Sequence, residues 1–248
     1  MNNGRRAAAA AALSVLLGSG MVACGPKDDA KDKAAGSAPA APASASTSSS
    51  PTPEPKELLK QSREAATKVK SVRVAFTVDV DGKPMTGEAF EDRDGNCIGW
   101  IHPGDEDRIE FVRKGGTTWL TPDGEFGKSV QKLGGKTMKI AADNTTAKQL
   151  TGFCETGLQI LATGGLSNAG AEVTATPGGA KDVKGVKGQA FKAADGTEFV
   201  VASEGPAYLL STTSSTPTKV DMTYSDFDRP VEPVPPTSGV IDGSPILH

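Results

Sequence analysis

Three cysteines, two histidines and a scatter of carboxylates are what this chain offers for chemistry. The histidines are His102 and the C-terminal His248, so a nucleophile–base–acid arrangement has one base to draw on. His102 stands before Pro103 and reads as an exposed strand end. The carboxylates sit in turns, often beside Lys or Arg, without the apolar setting that would raise a pKa for acid–base work. Asp92, Asp94 and Asn96 open like a calcium loop, but Cys97 stands where that loop needs Gly and Pro103 where it needs Glu, so they read as a turn. The sequence holds no phosphate-binding loop, no G-x-S-x-G and no H-E-x-x-H. The expectation is a protein that is not an enzyme and uses neither cofactor nor metal.

The cysteines divide by setting. Upstream of Cys24, Arg5 and Arg6 supply positive charge, Ala7 to Leu17 form a short apolar core, and Gly18-Ser19-Gly20 breaks it. That order makes a secretory signal, too short to span a bilayer permanently. Met21-Val22-Ala23-Cys24 resembles the bacterial lipobox, with Met21 where Leu is usual. The match implies removal of residues 1–23 and acylation of Cys24 on its thiol and new amino group. Each buried methylene contributes about 0.8 kcal/mol, so two or three chains attach the protein to the cell membrane on its extracytoplasmic face. Cys97 and Cys154 remain as a pair in an oxidising compartment, where a disulfide is the default. Closing that loop stabilises by about 4 kcal/mol in the chain-entropy model.

Residues 24–55 lack large aliphatic or aromatic side chains after Cys24, being mostly Ala, Ser, Pro, Thr, Lys and Asp. Such a segment cannot offset the entropy of folding and reads as a disordered tether. It reaches about 30 Å as a coil and about 95 Å when stretched. Residues 56–248 suffice for one domain with a core, ending in a Pro-rich tail from Pro230 to Pro236. Removing the signal leaves 25 basic against 30 acidic residues, so the formal charge moves from −3 to −5. That balance argues against a nucleic-acid partner. No protein partner is legible.

These residues must be positioned mainly by strands. "VRVAFTVDV" alternates Val72, Val74, Phe76, Val78 and Val80 with Arg73, Thr77 and Asp79. Further strands are expected at Met85–Glu91, Asn96–His102, Arg108–Lys114, Thr117–Thr121, Ala171–Thr176, Gln189–Ala193, Glu198–Ser203, Ala207–Thr212 and Lys219–Ser225. Asp81-Gly82, Asp94-Gly95, Asp123-Gly124 and Asp195-Gly196 each suit a hairpin turn. Helical periodicity marks Lys56–Val69 and Thr145–Ala162, the second placing Cys154 in an apolar stripe that ends at Gly164-Gly165. A Cys97–Cys154 bridge would pin that helix to the face of Cys97, Gly99 and Ile101, with Gly99 leaving room for it. Ile98 and Trp100 would point away unless a bulge intervenes.

An acylated cysteine, a tether, "LLKQSREAATKVKSVRVAFTV", "GNCIGW", "RKGGTTWLTPDGEF", Phe153-Cys154 and "VDMTYSDFDRPVEPVPPTSGVID" follow one another in this order. The chain thereby resembles the LppX/LprG-type bacterial lipoproteins and, more distantly, the LolA-like carriers. The resemblance implies an α+β fold: a strongly curved antiparallel half-barrel with helices packed on its concave face, able to hold a lipid ligand between them. Candidate lining residues are Val72, Val74, Phe76, Val78, Ile109, Phe111, Leu158, Phe199, Val201 and Leu210. The expectation is an anchored lipoprotein that binds or carries a lipid or other hydrophobic ligand. The alternative is an envelope interaction or structural lipoprotein with a solidly packed half-barrel. Low aromatic content and 29 glycines leave little bulk to frame a wide cavity.

Overall fold

The computed structural model describes residues 53–104, 107–129, 136–163, 175–216 and 218–246. All of them belong to one unit, Ser49–His248. The expected signal, Cys24 and the tether through residue 52 lie outside the described residues, as do Gly164-Gly165 and residues 171–174.

Alternation builds the sheet. β1 (Ser71–Val80) sends Val72, Val74 and Phe76 to one face, where each is buried. Asp81 and Gly82 both take positive φ, 54° and 79°, and turn β1 back into β2 (Lys83–Asp92). That geometry matches the twist of the paired strands. β3 (Cys97–His102), β4 (Arg108–Lys114), β5 (Thr117–Asp123) and β6 (Thr137–Ala141) add on antiparallel in chain order. β7 (Ala175–Val183), β8 (Val186–Ala193), β9 (Glu198–Ala202), β10 (Leu209–Ser214) and β11 (Val220–Ser225) make the other half, and β11 returns to pair with β1. β12 (Val240–Asp242) joins β6 in parallel. Among the described residues the strands form one twelve-stranded curved sheet, β12-β6-β5-β4-β3-β2-β1-β11-β10-β9-β8-β7, whose edges stay open.

Four helices accompany the sheet among the described residues: α1 (Pro55–Lys68), α2 (Gly124–Ser129), α3 (Thr145–Thr151) and α4 (Phe153–Ala162). Leu58, Ser62 and Ala66 of α1 are buried, with Ala65 half-buried beside them and Val69 buried just past its end. The single helix expected over Thr145–Ala162 is two helices meeting at Gly152. Asn144 caps the first, its Oδ1 accepting from the Ala147 amide at 3.0 Å.

Other differences have local causes. Asp123-Gly124 is no hairpin; Gly124, at φ 74°, turns β5 into α2 instead. β6, β12 and most of β7 were not expected. Pro177 to Asp182 are exposed throughout, so they show no buried alternation to read. A register shift between Pro177 and Ala180 lifts β7 from β8, and Gln189 Nε2 donates to the Gly178 carbonyl at 2.6 Å to hold the irregularity. The Pro-rich tail does not hang free. Ser71 Oγ donates to the Arg229 carbonyl at 2.5 Å, Lys114 Nζ to the Pro233 carbonyl at 3.5 Å, and the Thr137 amide to the Gly239 carbonyl at 3.0 Å. The tail is thus tied to β1, β4 and β6 in turn before it becomes β12.

Candidate functional site

The registers lay the helix-covered face out in rows. One row reads Val72, Glu91, Cys97, Arg113, Thr118, Ile140 across β1 to β6. The next reads Tyr224, Val74, Ala89, Gly99, Phe111, Leu120, Met138. Pairing runs through β3 without a shift, so Ile98 and Trp100 do face away from the helices.

Cys97 and Cys154 are disulfide-bonded, with Cα atoms 5.6 Å apart, and both are buried. The bond joins the start of β3 to the first turn of α4 and lays α4 over β1 and β2. Phe153, beside Cys154, stacks on Phe76 with ring centroids 4.2 Å apart. The Phe76 ring in turn covers Gly87, its partner on β2. Room for α4 comes from the helix itself: a side chain on Gly157 would collide with Val74 and with the Glu91 carboxylate. Gly99, expected to leave that room, is instead covered by the Phe111 ring.

Of the ten candidate lining residues, Val72, Val74, Phe76, Ile109, Phe111, Phe199 and Val201 are buried in one continuous core, and Val78 and Leu158 pack partly buried against it. Leu210 does not join them. The register shifts between Leu209 and Ser211, and Leu210 turns to the opposite face with Val200 and Ala202. Clefts of about 570 and about 610 Å³ open elsewhere, one along β6 and β12 beside Ile140 and Ile241, the other at the lifted part of β7 beside Pro177 and Phe191. Between α4 and the sheet the protein's own side chains fill the space the ligand was expected to take.

A buried carboxyl lies under α4. Glu91 is fully buried, and its Oε1 accepts from the Leu158 amide at 2.8 Å, while Oε2 has no partner. Burial pushes its carboxyl up to about 7, against the pull of the Leu158 and Gly157 amides. Above it Arg113 Nη2 pairs with Glu155 Oε1 at 2.7 Å, tying β4 to α4. Sequence reasoning missed Glu91, though a signal existed: alternation in "EAFED" puts it on the face of Gly87 and Ala89.

The outward face carries polar clusters of a different kind. Arg73 bonds Glu88 and Asp226, each at 2.6 Å, with its guanidinium 4.7 Å from the Phe90 ring centroid. Arg108 lies 4.7 Å from the Trp100 centroid, and its Nη1 is 3.2 Å from His102 Nε2. His102 Nδ1 meets the Asp107 carbonyl at 2.8 Å, so Nδ1 donates and Nε2 accepts. Both ring nitrogens are engaged. Asp92 holds the β2–β3 turn, its Oδ1 accepting from the Asp94 and Asn96 amides at 2.9 Å.

No family model matches the chain, and no curated protein matches it. Among solved structures it is similar to LprF from Mycobacterium bovis, at 13% identity and a TM-score of 0.48, over 75% of this chain and 99% of that one. It is also similar to MucB, at 15% identity and a TM-score of 0.35, over 74% of this chain and 62% of that chain. MucB in complex with the periplasmic part of MucA gives 14% and 0.34, over 73% of this chain and 57% of that chain. The chain spans about three fifths of MucB. No described helix is long and apolar enough to cross a membrane.

Proposed function

We propose that this chain is an envelope lipoprotein, held to the extracytoplasmic membrane face by acyl chains on Cys24, that works by binding a hydrophobic ligand rather than by catalysis. Its curved sheet meets α4 where the ligand is expected to bind, and the protein's own side chains pack that interface. The observation that carries the reading is Glu91. An interface built only for solid packing gains nothing from a buried carboxyl with one oxygen unpartnered, and such groups cluster where a protein works. The anchor supplies the setting, since a tether of residues 24–55 keeps the domain close to a lipid source.

The test is mass spectrometry of the domain exported without acylation. Co-purified lipid in roughly molar proportion supports the reading, and an empty domain that takes up no lipid from vesicles overturns it.

The filled space under α4 favours a second reading, a solidly packed module that binds another envelope protein. Crosslinking on intact cells separates the two. A specific protein adduct from a lipid-free domain supports the module.

A further inference from the structure

The ties between α4 and the sheet differ along the helix, over apolar packing that includes Leu158 and Leu161. At its N-terminal end sit the Cys97–Cys154 disulfide and the Phe153–Phe76 stack. Arg113 pairs there with Glu155, and one turn further on the polar tie is the Leu158 amide, which donates to Glu91 at 2.8 Å with the Gly157 amide beside it. Gly157 contributes no side chain between them, so α4 rests directly on the carboxylate and on Val74.

Ionised, Glu91 would hold its charge in a buried interface with one oxygen lacking a protein partner, which a folded protein tolerates only when a partner compensates. The groups that face it compensate only in part: the Leu158 and Gly157 amides and the Arg113 charge favour ionisation, and burial outweighs them. Arg113 on β4 is engaged with Glu155 on α4, Tyr224 on β11 is buried and its hydroxyl donates to Met222 Sδ at 3.5 Å, and β1 and β3 present Val72 and the disulfide. Glu155 adds a like charge, which opposes ionisation further. Neutral, the same carboxyl accepts the Leu158 amide at no such cost. Lifting the helix from the carboxylate lets water reach both oxygens.

We propose that Glu91 is a proton-operated latch: the neutral carboxyl keeps α4 closed on the sheet, and the ionised carboxyl favours α4 swinging out about the Cys97–Cys154 bond and opening the face beneath it to a hydrophobic ligand. This rests on the ligand-binding reading of that interface. Opening therefore becomes easier as pH rises, because the closed form holds its proton to about 7 while a solvated carboxyl loses it near 4.5.

The test uses residues 25–248 exported through a cleavable signal, so that the disulfide forms. Hydrogen exchange of the Leu158 amide, corrected for the intrinsic rate, is followed from about pH 5.5 to about pH 8.5, with binding of the uncharged probe N-phenyl-1-naphthylamine alongside. The expected result is a loss of Leu158 protection of about thirtyfold across that range, with probe binding tightening in step. In Glu91→Gln both responses flatten, and Glu91→Leu serves the same purpose should that variant fail to fold. Protection that is flat in the unaltered protein, or that falls equally in Glu91→Gln, overturns the latch. A Glu91-dependent loss of protection with no probe bound at any pH upholds the latch and sinks the ligand reading. Probe binding that ignores pH upholds the ligand reading and sinks the latch.

Discussion

The ring of Phe111 lies over Gly99, its partner directly across β3 and β4, in the space where a side chain on Gly99 would stand. The backbone carbonyl of Glu88 closes the same space from the other side. A methyl there has nowhere to go, because the carbonyl belongs to the sheet ladder and the ring is buried. Gly99→Ala should lower stability by about 1–3 kcal/mol, read from the midpoint of chemical denaturation. An unchanged midpoint would show that the Phe111 ring is free to move.

Gly157 reverses the usual rule for helices. Replacing an interior helical Gly by Ala ordinarily stabilises by about 1 kcal/mol. Here the added methyl meets Val74 and the Glu91 carboxylate, so Gly157→Ala should destabilise instead. Thermal unfolding of the variant settles the sign. A gain in Tm would mean that α4 does not rest on the sheet.

The pH dependence of global stability follows from Glu91. Its carboxyl is raised from 4.5 to about 7, so the folded protein holds the proton more tightly than the unfolded chain. Its stabilising contribution is complete below about 4.5 and is lost as pH rises through about 7, roughly 3 kcal/mol in all. Urea titrations across that range should show the decline, and Glu91→Gln should remove it. A decline that survives the substitution belongs to some other group.

Reduction of the disulfide should cost roughly 2–5 kcal/mol, and the Cys97→Ala, Cys154→Ala double variant should match it. Hydrogen exchange should then find α4 the first element to lose protection, since its firmest tie has gone. If α1 or β11 loosens first, the helix is held mainly by its apolar contacts.

Cys24→Ala tests the anchor. Labelled palmitate should enter the unaltered protein and not the variant, and only the former should stay with membranes after a high-salt wash. A bare thiol on the exported protein would remove the anchor from the proposed function.

Much of the sheet was legible because half-buried strands write their faces into the sequence. Val72, Val74 and Phe76 alternate with polar neighbours, and Arg108–Lys114 was located to the residue. β7 was not, because a strand exposed at a sheet edge has no buried face to record. Leu210 was placed on the wrong side because a register shift inverts the alternation from which its direction was read. The other nine candidate lining residues lie in the core or pack against it, an arrangement the alternative of a solidly packed half-barrel allowed for. Whether an apolar face is covered by ligand or by helix depends on the volume between two elements, which periodicity does not encode.

Local patterning alone thus determined the strands of half-buried alternation, the hairpin turns at Asp81-Gly82 and Asp195-Gly196, and the pairing of the two cysteines downstream of residue 24. Each of these depends on residue type at short spacing or on counting. Only the tertiary structure decided that Gly157 rather than Gly99 admits α4, that the tail crosses to β6, and that Glu91 is sealed beneath the helix. These depend on which surfaces meet at long range, and a carboxylate in a strand looks the same in sequence whether water or a helix lies over it.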